Sequence, residues 1–196
     1  MTGQEKITLD GGNAATFSAD GKTLAYVHGT EVHVLDLAKN AVIRRFKGHQ
    51  KKVAALAFAP DGTLASAGYD KSIRLWSIVL DREIRRFDTK EGRITALAFS
   101  PDGKKLVSGG TTLVQFRGNN TISTGFADHV RVWDVTGKEE VRELPTRASQ
   151  VGFSADGKTI AVAGLVPDLQ QRRRGTSLDG LDWIATAPGA STRQRD

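Results

Sequence analysis

Residues 58–62 read Phe-Ala-Pro-Asp-Gly, and close copies of this stretch decide the fold. The other copies begin at Phe17, Phe99 and Phe153, so that successive phenylalanines are 41, 41 and 54 residues apart. A period near 40 residues indicates one supersecondary unit that is repeated along the chain. Each copy of such a unit needs its neighbours in order to bury its faces.

The second copy shows what one repeat contains. A short apolar run at residues 53–58 ends in the turn at 60–62, and further short runs follow at 64–66, 73–76 and 83–87. Runs of this length that are separated by Gly, Asp and Pro predict a four-stranded antiparallel meander. The first run is apolar at successive positions, so we expect both of its faces to be buried. Period and strand number together favour a propeller over a helical solenoid.

The chain resembles the WD-repeat family of β-propellers. The positions that carry the resemblance are Gly48, His49, the Asp61-Gly62 turn, residues 64–66, Asp70, residues 73–76 and the Trp133-Asp134 dipeptide. The resemblance covers roughly residues 7–164. It implies an all-β fold, a partial or incomplete β-propeller of four-stranded antiparallel blades.

The copies predict three full repeats and a degenerate partial fourth. We place the blades at residues 7–46, 47–87, 88–144 and, in part, 145–165, so that WD-repeat blades fill residues 1–165 and a degenerate or disordered tail fills 166–196. Closed propellers have at least four blades. The chain is therefore a fragment of a longer propeller, a four-bladed ring, or half of a pair of chains. We favour the fragment, which predicts self-association when the chain stands alone.

In the family, a His, a Ser or Thr, an Asp and a Trp of one repeat form a hydrogen-bonded structural tetrad. The resemblance assigns these roles to His49, Ser66, Asp70 and Trp76. A catalytic His-Ser-Asp group is the alternative interpretation. The repeat context favours a buried network that locks one blade, so we predict no catalytic residue and no enzymatic activity.

The other copies depart from this set. The third copy has Lys90 in place of the histidine but keeps Ser108 and Trp133. The first copy has Tyr26 and Leu35 in place of the serine and the tryptophan.

The third copy also carries an insertion at residues 111–127, which predicts a β-hairpin between the second and third strands of its blade. Alternate loops of a meander lie on one face, so this hairpin shares a face with the loops at 47–52, 88–93 and 145–150. Insertions on one face of a repeat protein are commonly where binding occurs. The candidate partner-binding residues are His49, Lys51, Lys52, Lys90, Arg93, Phe116, Arg117 and Arg147.

Two features of the sequence could suggest chemistry, a P-loop-like string and four histidines, and neither indicates a site. Residues 152–159 fit the P-loop pattern, but a strand-like run follows them, whereas a P-loop must open a helix. Nearly the same string recurs at residues 17–23, so we interpret it as a repeat turn and predict no cofactor. The four histidines form no ligand pair at helical spacing and the chain has no cysteine, so we predict no metal site.

Composition and charge limit the class of protein, its cellular location and the kinds of partner that fit the chain. Hydrophobic residues make up 39% and charged residues 26% of the 196 residues, as in globular proteins. Residues 1–6 have no apolar h-region and no apolar run reaches transmembrane length, so we predict a cytoplasmic protein without a membrane partner. The net charge of +6 permits an acidic partner or nucleic acid. No basic stripe is interleaved with aromatics, as single-strand binders require.

These observations predict a non-enzymatic protein-protein interaction scaffold that binds a protein or peptide through the blade-connecting loops of one propeller face. Two alternatives stay open. One is a regulatory or sensor WD-repeat fragment of a larger bacterial signalling enzyme, such as a kinase or protease. The other is a basic nucleic-acid-binding module.

Overall fold

A computed structural model describes residues 12–89, 92–118, 121–137, 140–144, 150–163, 174–176 and 182–186. These residues form four sheets of four strands each. The first sheet contains β1 (Ala15–Phe17), β2 (Thr23–His28), β3 (Glu31–Asp36) and β4 (Ala41–Phe46). The second contains β5 (Val53–Phe58), β6 (Leu64–Gly68), β7 (Ser72–Ser77) and β8 (Arg82–Asp88).

The third sheet contains β9 (Arg93–Phe99), β10 (Lys105–Gly118), β11 (Thr121–Asp134) and β12 (Glu140–Leu144). The fourth contains β13 (Gln150–Phe153), β14 (Thr159–Ala163), β15 (Arg174–Thr176) and β16 (Asp182–Thr186). The first three sheets are antiparallel meanders in chain order, which confirms the predicted all-β blades. The fourth has the order β13-β14-β16-β15, and β14 pairs with β16 in parallel. Two strands of this sheet thus lie within the predicted tail.

The recurring Asp-Gly stretch builds the same hairpin turn in each sheet. In the first sheet Ser18 Oγ donates to Asp20 Oδ1 at 2.6 Å, and the Lys22 N–H donates to the same oxygen at 3.0 Å. Gly21 follows with φ of 67°, a conformation that costs glycine least. The P-loop-like string forms this turn too, since Ser154 Oγ donates to Asp156 at 2.6 Å and β14 follows directly.

The sheets lean on one another through their first strands. Strand β1 contacts β5, β5 contacts β9, and β9 contacts β13. Three apolar clusters fill the spaces between successive sheets, and they are centred on Val34 and Leu64, on Ile73 and Leu106, and on Val130 and Ile160. Every sheet therefore buries at least one broad face, as propeller blades do. In the described part of the chain, the sheets do not close into a ring.

The repeated phenylalanines show where the array is open. Phe58, Phe99 and Phe153 each pack against the cluster that separates their sheet from the preceding one. Phe17 occupies the equivalent position in the first sheet, which has no preceding sheet, and it is 60% exposed. The outer side of the first sheet is thus incompletely covered at this position.

Two arginines connect neighbouring sheets in the same way. Arg44 in β4 donates from Nε to the Ile78 carbonyl at 2.8 Å, and Arg85 in β8 donates from a terminal nitrogen to the Val135 carbonyl at 2.6 Å. In both pairs, the outer strand of one sheet is tied to the turn after the third strand of the next sheet. We call these two contacts the arginine clamps.

The predicted hairpin in the third sheet is confirmed. Strands β10 and β11 pair continuously from Lys105 opposite Asp134 to Gly118 opposite Thr121. The turn at residues 119–120 lies outside the described residues. The inserted part of the hairpin therefore extends both central strands of the third blade.

Candidate functional site: a buried tetrad beneath a cationic face

The four residues assigned to the tetrad come from four segments of the second repeat. His49 lies before β5, Ser66 in β6, Asp70 in the β6–β7 turn and Trp76 in β7. Trp76 Nε1 donates to Ser66 Oγ at 2.7 Å, Ser66 Oγ lies 2.7 Å from His49 Nε2, and His49 Nδ1 lies 2.9 Å from Asp70 Oδ2. A carboxylate can only accept, so neutral His49 carries its proton on Nδ1 and accepts from the Ser66 hydroxyl at Nε2.

The environment determines the charge of the two titratable members. Burial lowers the pKa of His49, and this effect outweighs the nearby Asp70 carboxylate, which raises it. Burial alone would raise the pKa of Asp70, but hydrogen bonds from the Gln50 N–H, His49 and Ser72 outweigh burial and lower it. At neutral pH the network therefore contains a neutral imidazole and an ionised carboxylate.

This geometry suits structural locking rather than nucleophilic attack. Ser66 is 0% exposed, and its oxygen is engaged by both Trp76 and His49. A nucleophile needs access to its substrate, and Ser66 has no exposed surface. Trp76 also stacks on Phe46 of the first sheet, with ring centroids 4.9 Å apart. The tetrad therefore braces the interface between two sheets as well as its own blade.

The degenerate copies keep parts of the network. In the third sheet Trp133 Nε1 donates to Ser108 Oγ at 2.8 Å, while Lys90 lies outside the described residues. In the first sheet Tyr26 replaces the serine, and its hydroxyl lies 3.3 Å from His33 Nδ1.

We expect the free energy of unfolding to decrease as the pH falls below about 6.5, the ordinary pKa of histidine. The folded-state pKa of His49 is lowered, so the unfolded chain takes up a proton that the folded chain does not. Asp70 acts with the same sign in a lower window, below its ordinary value of 3.8. Urea denaturation across this pH range measures both effects.

The variant His49→Gln is the control for this pH dependence, because glutamine does not titrate. Subtracting its profile from that of the unmodified chain removes the contributions of the other histidines. If the unfolding free energies of the two proteins changed in parallel with pH, the assignment of this pH dependence to His49 would be wrong.

A cluster of cations around one aromatic ring lies at the end of the strands near the tetrad. Lys52 Nζ is 5.7 Å from the centroid of the Tyr69 ring, and Arg93 Cζ is 4.8 Å from it. Lys52 precedes β5, Tyr69 lies in the β6–β7 turn and Arg93 begins β9, so two sheets contribute. The neighbouring side chains Lys51 and Lys71 are exposed. We call Lys51, Lys52, Tyr69, Lys71 and Arg93 the cationic cluster.

A glycine allows the strands of the cationic cluster to come together. A Cβ atom at Gly68 would collide with the carbonyl oxygen of Lys52. That same carbonyl accepts from the Tyr69 N–H at 2.9 Å. The approach of β6 to the segment before β5 therefore requires glycine at position 68.

The structure places the predicted partner-binding residues in different settings. Lys51, Lys52 and Arg93 are exposed on the predicted face. The His49 side chain is only 1% exposed and both of its ring nitrogens are hydrogen-bonded within the tetrad, so it offers almost no surface to a partner. Phe116 and Arg117 lie in β10 near the hairpin end rather than in a loop. Lys90 and Arg147 lie outside the described residues.

The sequence pattern did not single out two members of the cluster, Lys71 and the aromatic residue Tyr69. Tyr69 immediately precedes the tetrad Asp70, so the repeat alignment assigns it only to a turn. A search for aromatic residues in the loops of the basic face would have found it.

Two further observations concern the described part of the chain. No group of three or more His, Cys, Asp or Glu side chains there is placed to hold a metal ion. The same residues contain no helix that is long and apolar enough to span a membrane.

Comparison with known proteins supports the fold. The family model described as "WD domain, G-beta repeat" matches residues 40–77 and 82–134. No curated protein matches the chain. A similar solved structure is hydrazine synthase from Kuenenia stuttgartiensis, with 23% sequence identity and a TM-score of 0.64 over 81% of this chain. The chain spans 43% of the length of that protein chain, and at this identity the likeness shows the fold alone.

Proposed function

We propose that this chain, which carries WD repeats, is a non-enzymatic scaffold that binds an acidic segment of a partner protein at the cationic cluster. WD repeats generally mediate protein-protein interaction, so a protein partner is the first expectation. The binding residues in this proposal are Lys51, Lys52, Tyr69 and Arg93.

The contact of Lys52 and Arg93 with the Tyr69 ring is the observation that carries the proposal. A cation that already rests on an aromatic ring loses less side-chain freedom when a carboxylate binds it. Tyr and Arg are also enriched in protein interfaces, whereas a solvated lysine is not. The cluster therefore differs from the other exposed basic residues of a chain with a net charge of +6.

The tetrad supports the non-enzymatic part of the proposal. Its Ser66 hydroxyl is buried and hydrogen-bonded on both sides, so the set that most resembles catalytic residues stabilises the blade instead. The solved neighbour comes from an enzyme, but the likeness concerns its fold only.

Selection of short peptides from a random library tests the proposal. We expect the recovered peptides to be acidic, and the double variant Lys52→Glu with Arg93→Glu to weaken their binding by more than about tenfold. Fluorescence polarisation with a recovered peptide measures the affinity.

The matched control is Lys104→Glu with Lys158→Glu, which changes the net charge equally at two exposed turns of the opposite face. An equal loss of peptide affinity in both double variants would show that the peptides bind through net charge alone, and would contradict the proposed site. Salt-sensitive binding of single-stranded RNA, lost only in the Lys52 and Arg93 variant, would support the nucleic-acid alternative instead.

A further inference from the structure

We propose a second binding site, whose ligand is an extended peptide segment of another protein. The peptide carries an apolar side chain next to a lysine or arginine. The site is a groove between the first and second sheets, on the face opposite the cationic cluster. We call it the turn groove, because the β1–β2, β5–β6 and β7–β8 turns form its walls.

The size of the turn groove fits a peptide side chain and its neighbours. Its volume is about 400 Å³, within the range of sites that bind small ligands. Phe58, Pro60 and Ile78 supply apolar wall surface, while Ser18 and Thr23 supply hydroxyl groups. Apolar walls with a few polar groups among them are typical of such sites.

The rim of the groove exposes apolar side chains that the fold does not use. Val79 lines the groove and is 88% exposed, and Leu80 beside it is 58% exposed. Among the residues whose side-chain exposure is described, the other exposed large hydrophobic residues are Phe17 at 60% and Ile84 at 42%. Two adjacent apolar side chains at the tip of one turn indicate a contact surface.

The turn that carries these side chains is held in place. The Ile78 carbonyl accepts from Arg44 of the first sheet at 2.8 Å, and the same arginine pairs with Asp81 at 3.3 Å. The Leu80 N–H donates to Ser77 Oγ at 3.1 Å. Because both ends of the turn are anchored, Val79 and Leu80 are presented in a fixed position, which reduces the ordering cost of binding.

The charge of the groove selects the partner. Asp20 and Asp61 line it, and none of its lining residues is a lysine or arginine. Hydrogen bonds from Ser18 and from the Lys22 N–H lower the pKa of Asp20, so this carboxylate is ionised at neutral pH. Lys22 is the nearby cation, and its exposed Nζ lies 3.9 Å from Asp20. An acidic groove in a chain of net charge +6 is complementary to a basic peptide, whereas the cationic cluster is complementary to an acidic one.

Fluorescein-labelled short peptides in a Gly/Ser background test this proposal with the full chain. The main probe carries one leucine between two lysines, and the matched probes replace the lysines by glutamate or the leucine by serine. We expect the matched probes to bind at least about tenfold more weakly than the main probe.

Two variants of the turn groove should each lower the affinity for the main probe by about tenfold. Val79→Ser with Leu80→Ser removes the apolar rim at exposed positions, so the fold is kept. Asp20→Asn with Asp61→Asn removes charge but retains an acceptor oxygen for the turn hydrogen bonds. The variant Lys52→Glu with Arg93→Glu should leave this affinity unchanged, which separates the turn groove from the proposed function.

Three results would overturn the proposal. They are equal binding of all three probes, an affinity that neither groove variant changes, and a dimer in sedimentation velocity that Val79→Ser with Leu80→Ser dissociates. The last result would assign the groove to a second copy of the chain.

Discussion

Replacing Trp76 by alanine is expected to lower the free energy of unfolding by about 3–5 kcal/mol, as for other buried large-to-alanine changes. The side chain is 2% exposed, stacks on Phe46 across the sheet interface and donates to Ser66. The variant therefore opens a cavity between two sheets and also leaves the buried tetrad without its indole donor. Urea denaturation followed by circular dichroism measures the loss.

Two further variants separate the contribution of packing from that of the hydrogen bond. Trp76→Phe keeps most of the packing but removes the donor, so we expect an intermediate loss of about 1–3 kcal/mol. Leu80→Ala changes an exposed side chain of the same sheet and should shift stability by less than about 0.5 kcal/mol. A loss in Trp76→Ala no larger than that of Leu80→Ala would contradict the described interface.

Replacing Gly68 by alanine is expected to lower the free energy of unfolding by about 1–3 kcal/mol, which is typical of overpacking. The new Cβ would meet the Lys52 carbonyl, a backbone atom that cannot rotate away. The same change displaces the segment that holds Lys52 against Tyr69, so acidic peptides should bind more weakly as well. Thermal or urea denaturation and fluorescence polarisation measure the two effects.

Gly152→Ala is the matched control for this variant. It also lies in a strand, but a Cβ there would meet no atom within 4 Å. We expect it to be neutral or to stabilise the chain by up to about 1 kcal/mol, because alanine restricts the unfolded chain. Similar losses at both glycines would show that the effect is one of strand propensity rather than of the close approach.

The repeat predicted the blades because each copy of the Asp-Gly turn supplies its own local hydrogen bonds. The serine, aspartate and glycine that form such a turn lie within a few residues of one another, so their spacing is visible in the sequence. The parallel pairing of β14 with β16 was not predicted, because the repeat ends after residue 164. From there on, the strand order depends on long-range pairing rather than on a local pattern.

The candidate site was predicted in part for similar reasons. Repeat positions led to the tetrad residues, and basic loops led to Lys52 and Arg93. The sequence assigned His49 both to the tetrad and to the partner-binding residues, and its two hydrogen bonds hold the ring inside the tetrad. The arginine clamps left no pattern, because each ends on a backbone carbonyl, which every residue possesses.

The clamps also bear on the order in which the sheets can be completed during folding. Arg44 waits for a carbonyl 34 residues further along the chain, and Arg85 for one 50 residues further. The first and second sheets thus each lack this contact of the outer strand until the third strand of the next sheet is available. When the chain folds from its N-terminus, we therefore expect the outer strand of a clamped sheet to be fixed only after the next sheet has formed.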